Sequence, residues 1–230
     1  MIQYELGGRL MSEFWNQWGN VVIEGLGQTL VMVCVALALS IIIGIPLGVL
    51  LVIARPGGLN SNFTLYSILN SVINVLRSLP FIILLFLILP LTKLIMGTTI
   101  GVQGVLLPLI IYTAPYLARL VETSLLEVDG GVIEAYQAMG ISHFHIIRSV
   151  LLREARGGII RGLTIAMIGL IGATAMAGLV GAGGLGSIAY QYGFLRNEPA
   201  VMYTTIILLI VLVQIVQSLG NTIAKSLDRS

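Results

Sequence analysis

Three stretches of this chain, 25–54, 162–195 and 199–224, contain no charged side chain at all. Each exceeds the ~20 apolar residues that carry a helix across a ~30 Å hydrocarbon core. The chain as a whole is 57% hydrophobic and 10% charged, where a soluble domain carries about a quarter charged residues. These runs predict an all-α, polytopic membrane protein. The formal net charge of +2 is too small to argue for a nucleic-acid partner.

Taken in order, residues 1–24 form an N-terminal external or interfacial segment, and 25–230 a transmembrane domain. The first segment carries Glu5, Arg9, Glu13 and Glu24 and lacks the basic-then-apolar order of a signal peptide, so it is expected to be retained. Trp15 and Trp18 suit a membrane–water boundary. The first span is 25–54, with Gly44 and Pro46 as expected bending or packing points, and Cys34 reads as a small buried hydrophobe. A turn follows at 55–60.

The second span is interrupted by Arg77, and the uncharged stretch 78–92 is too short to cross alone. Its helix is therefore expected to begin before Arg77 and to hold that charge in or near the membrane. A functional contact and a side chain snorkelling to the interface are both open there. The third span, 102–118, carries Pro108 and Pro115. The fourth lies within 162–195 together with an external segment, and the fifth is 199–224.

Between the third and fourth spans lies a polar island, 119–161, holding ten charged residues. Arg119 and Glu122 stand three apart and are expected to pair as a solvated edge of a helix. Beyond the breaker pair Gly130-Gly131, Val132, Ile133, Tyr136 and Met139 recur at helical spacing, and Gly140 suits a left-handed helix end. Ser142 then stands where it can cap a second helix with Phe144, Ile147, Val150 and Leu151 on one side. The short amphipathic helix reads either as a protein-docking element or as a helix lying on lipid.

Positive charge orients the chain. With the N-terminus outside, Arg55, Arg119, Arg148, Arg153, Arg156, Arg161, Lys225 and Arg229 are cytoplasmic, against Arg9, Lys93 and Arg196 outside. The C-terminus and the polar island are then cytoplasmic.

Chemistry is sparse. His143 and His145 are two apart and do not share a helix face, no acidic cluster has metal spacing, and no Walker-type phosphate loop occurs. The glycines of 181–186 satisfy G-x-G-x-x-G but follow a membrane helix rather than a strand, so Gly183-Gly184 reads as the turn ending the fourth span. Gly169, Ala173 and Ala177 form a small-residue ladder suited to close helix packing, and the family resemblance given below would put it near the seam between two copies. Met176 beside it reads either as a gate on the pathway or as ordinary core. A chain with no visible engine that drives uphill transport needs a partner to supply the energy.

Glu134-Ala135 with Gly140 six positions later and Leu152 beyond resembles the "EAA" cytoplasmic loop of binding-protein-dependent ABC importer permeases. Tyr136 stands where that loop has its third alanine, and Arg153 where it has proline. Further segments resemble methionine ABC importer permeases: Arg77-Ser-Leu-Pro-Phe-Ile-Ile-Leu-Leu, Gly97-Thr-Thr-Ile-Gly, Val180-Gly-Ala-Gly-Gly-Leu-Gly and Ala189-Tyr-Gln-Tyr-Gly. The resemblance implies a homodimeric permease for methionine with two cytoplasmic ATPase subunits, which hold the ATP and magnesium, and an external binding protein. This chain itself would bind no cofactor. It also implies that Glu134, Ala135, Tyr136, Met139 and Gly140 belong to the helix that couples permease to ATPase. Another amino acid or a small osmolyte is the alternative substrate. A self-contained channel or secondary transporter is the alternative machine, and would need charged groups along its path, of which only Arg77 qualifies.

Overall fold

The computed structural model describes residues 2–228, so Arg229, counted among the cytoplasmic charges above, lies outside it. The fold begins with α1 (Ile2–Ala54), 53 residues without a break and about 80 Å long at 1.5 Å per residue. It passes through position 24, where the sequence suggested a segment boundary, and stays helical through Pro46. α2 (Phe63–Ser78) and α3 (Phe81–Met96) follow. After a glycine turn come α4 (Gly101–Leu126) and the short α5 (Gly130–Ala138). α6 (His143–Ile146) leads through a π-helical turn, Ile147–Leu151, and α7 (Leu152–Glu154) into α8 (Arg156–Ala177). α9 (Gly184–Ile188) continues as the π-helical Ala189–Leu195, and α10 (Pro199–Asp228) closes the described chain.

Four helices among the described residues are long and apolar enough to cross a membrane, or five if the bent pair α2–α3 makes one span. The all-α, five-span expectation holds, with one correction. The second span begins before Arg77, as expected, but it is not one straight helix. It bends by 111° between α2 and α3, because Pro80 has no N–H to continue the ladder and forces Leu79 into extended backbone, φ −85° and ψ 127°.

α4 is the central element, packed against α1, α2, α3 and α8, whereas α10 is mostly exposed. The α1–α4 contact is a backbone approach. A Cβ on Gly48 would lie 2.6 Å from the Ala118 carbonyl oxygen, and one on Gly44 2.9 Å from that of Ala114. The sequence flagged Gly44, and the structure gives packing as its reason. One core cluster joins α1, α3, α4 and α8 around Met32, Val33, Leu85, Leu109 and Leu170. A second, around Leu117, Val121, Leu125 and Leu151, seats the polar loop on the spans. Cys34 is exposed on α1, not buried as read from its apolar neighbours.

Candidate functional site

The polar island folds into a projecting corner. Asp129 Oδ1 accepts the Gly131 N–H at 2.8 Å and starts α5. At the other end Ile141 N–H donates to Tyr136 O at 3.2 Å and Gly140 N–H to Gln137 O at 2.9 Å. With Gly140 at φ +72°, this is the paired-bond helix ending that the glycine's position suggested. Ser142 contributes its backbone oxygen to Ile146 N–H at 3.1 Å, but its side chain caps nothing.

α5 has no buried residue. Ile133 and Tyr136 are half-buried, Ile133 against the cluster of Leu125 and Leu151, while Val132, Glu134, Ala135, Met139 and Gly140 are exposed. The Glu134 side chain makes no hydrogen bond or ion pair with any described residue. Beyond the corner, the face expected to hold Phe144, Ile147, Val150 and Leu151 is different. Ile146, Val150 and Leu151 are buried and Phe144 is 72% exposed. The π turn adds a residue to the helical repeat there and shifts the buried register.

The ladder on α8 is also corrected. Ala173 and Ala177 are buried within a single copy, in the cluster with Met32, Val33, Val105 and Leu109. They therefore serve the chain's own core and have no surface left for a seam with a second copy. Gly169 faces outward, where an added Cβ would meet nothing within 4 Å. Ile165, Gly169, Gly172, Met176 and Leu179 form one exposed stripe at helical spacing. Met176, 51% exposed, is thus not a core residue.

Arg77 ends α2, exposed, with its guanidinium carbon 5.9 Å from the centroid of the Tyr116 ring. Arg119 and Glu122 pair as expected, yet not as a solvated edge: their side chains are 22% and 6% exposed. Arg119 Nη2 also donates to Asn70 Oδ1 at 2.7 Å and Asn74 Oδ1 at 2.8 Å, tying α2 to α4. The sequence reading missed Asn70 and Asn74. Their only signal was an i, i+4 pair of carboxamides on an amphipathic helix.

The glycine turn after α8 is held by α1. Gly184 N–H donates to Gln28 Oε1 at 2.7 Å and Leu185 N–H to Thr29 Oγ1 at 2.9 Å. Gly181, Gly183 and Gly184 all take positive φ, so these glycines make a turn pressed against a helix. The amides a dinucleotide phosphate would use are occupied.

Residues 40–229 match the family model described as the binding-protein-dependent transport system inner membrane component. A probable D-methionine transport system permease of Vibrio cholerae is 44% identical over 92% of this chain and 96% of its own length. A methionine import system permease of Bacillus subtilis is 41% identical over 78% of this chain and 81% of its own. A solved inward-facing MetNI methionine ABC transporter contains a chain superposing with a TM-score of 0.90 at 43% identity, over 92% of this chain and 98% of that one. An amino-acid ABC transporter at 19% identity and a TM-score of 0.70 shares the fold. With its broken second span, exposed polar corner and central α4, this chain belongs to the family of binding-protein-dependent transport system inner membrane components, the multi-pass permease subunits of ABC importers.

Proposed function

We propose that this chain forms the membrane pathway of a methionine importer, as a pair of copies joined to two cytoplasmic ATPase subunits and served by an external binding protein. The observation that carries the substrate is the 0.90 superposition, at 43% identity, on a chain of a methionine ABC transporter. ATP and magnesium belong to the ATPase partner. The N-terminus lies outside and the C-terminus in the cytoplasm, which the eight-to-three distribution of arginine and lysine supports.

In this reading α5 is the docking helix. Its exposure, the unpaired Glu134 and the outward Met139 leave a short amphipathic element seeking a complementary groove. Gly140 sets the angle at which it projects, and half-buried Ile133, packed on the cluster of Leu125 and Leu151, transmits its movement to the spans. ATP binding shifts the permease only insofar as the docked ATPase contacts α5 differently in the two states. The Met176 stripe faces the two-fold axis and narrows the path.

The test is reconstitution of the chain with its ATPase and binding protein in liposomes. ATP-dependent accumulation of labelled methionine, competed by unlabelled methionine, is expected. Accumulation no greater than in ATP-free vesicles would refute the reading.

A further inference from the structure

We propose that α10 pairs with α10 of a second copy while the path is closed, the two Gln214 carboxamides exchanging hydrogen bonds on the two-fold axis. The inference deepens the function proposed above and rests on it for the second copy and the path.

α10 is the least covered of the four long spanning helices, 17% of its span being buried against 61% for α4. Along its open side Ile207, Ile210, Gln214, Ser218 and Asn221 recur three or four residues apart, all of them exposed. Asn221 accepts from Gln217 of its own helix at 3.3 Å. The Gln214 side chain makes no hydrogen bond among the described residues.

The packing places Gln214 at mid-membrane. α10 returns antiparallel to α8, and Gly220 closes on Thr164 so tightly that an added Cβ would overlap it. Moving six residues toward the glycine turn along each helix brings Gln214 level with Leu170, inside the uncharged run 162–195. Lys225, the nearest charge on α10, is about 16 Å away at 1.5 Å per residue. A free carboxamide at that level needs a polar partner, because hydrocarbon offers none.

A second copy supplies only its like. On α1, α3, α4 and α8, over 30–50, 82–92, 106–117 and 163–176, no carboxamide or hydroxyl side chain is exposed. The carboxamides of α2 stand at the cytoplasmic end of the third span, where Asn70 and Asn74 hold Arg119. What remains at this depth is Gln214 of the second copy. Two carboxamides, each with an acceptor and two donors, satisfy one another by a symmetric exchange, which is the contact a two-fold axis requires.

The shape agrees. Gln214 stands on a ridge between two apolar grooves, one of about 390 Å³ shared with Ile168 and Gly172 of α8, the other of about 420 Å³ bordered by Ile215 and Leu219. A helix ridge of the same spacing enters such grooves. Lipid chains would fill them too, but would leave the carboxamide unpaired. The first groove adjoins the exposed α8 stripe at Gly172, so one face carries both. Gln214 lies about 9 Å from the level of Met176 and closes the axis at a second height.

The test uses the permease assembled with its ATPase in membrane vesicles, with Cys34→Ala as background. Gln214→Cys should form a 214–214 disulfide on oxidation, with a yield that falls in the nucleotide state that opens the path. Leu219→Cys, equally open but about 140° around the helix at about 100° per residue, should give about a tenth of that yield or less. Ser218→Cys, one turn along the same line, should also crosslink, and adding Gln214→Leu should cut its yield about threefold. No 214 disulfide in any state, or equal yields at 214 and 219, would leave α10 facing lipid and overturn the proposal. An unvarying yield in every nucleotide state would make α10 a fixed seam and overturn the closure. A Ser218→Cys yield indifferent to Gln214→Leu would remove the carboxamides from the contact. Native mass spectrometry of the unsubstituted complex tells the two readings apart. Two permease copies without the disulfide sink the α10 pairing alone, whereas one copy sinks the paired permease with it.

Discussion

Single side chains separate the two jobs of this protein, holding itself together and meeting something else. The Glu134 side chain is exposed and unpaired among the described residues, on a helix with no buried residue, so the chain's own fold makes no use of it. Glu134→Lys should leave the permease folded while lowering methionine transported per ATP hydrolysed about tenfold, in the range that charge reversal at an interface produces. Parallel assays of uptake and phosphate release in liposomes check this, with normal coupling as the contrary result. Glu122 belongs to the first class. Arg119→Ala leaves a carboxylate that is 6% exposed without its cation, which costs about 3 kcal/mol, the low end for breaking a buried pair because Arg119 is itself partly exposed. Thermal unfolding of the detergent-solubilised protein should show the loss, and adding Glu122→Gln should recover part of it.

At the level of elements, α8 has two faces of opposite meaning. Ala173 sits in a core already closed by Met32 and Leu109, so Ala173→Leu should destabilise the single chain by about 1–3 kcal/mol through overpacking. Gly169 opens on empty space, so Gly169→Leu should leave the chain's own unfolding temperature nearly unchanged and alter only the assembled complex. Thermal scans beside copurification of the ATPase distinguish the two, and the reverse pattern would exchange the faces. The α1–α4 contact is governed differently, by glycines that let backbone meet backbone at Gly44 and Gly48.

For the whole molecule, five spans in one copy enclose little space, and a path on the axis of a pair is the economical solution. Met176→Cys in the Cys34→Ala background should form a 176–176 disulfide on oxidation, and its yield should fall in the nucleotide state that opens the path. Gel mobility without reductant reads it. Absence of the crosslink in every nucleotide state would remove the α8 stripe from the axis.

Much of this architecture was written in local chemistry. Uncharged runs longer than a bilayer set the spans, and Gly140 determined where α5 stops, because only glycine reaches φ +72° cheaply. The small-residue ladder announced close packing for Ala173 and Ala177, though not for Gly169, and named the wrong neighbour. Sequence spacing shows that Ala173 and Ala177 share a helix face and says nothing of which neighbour covers it, and that was decided by α1 and α4 arriving from elsewhere in the chain. The same holds for Arg119, whose partners Asn70 and Asn74 lie 49 and 45 positions away. It holds too for the amides of Gly184 and Leu185, capped by side chains 156 positions earlier. Helix periodicity and hydrophobic length are properties of neighbours along the chain, whereas burial, register past a π turn and the choice of a polar partner are energies of contact. Those exist only once the helices have packed.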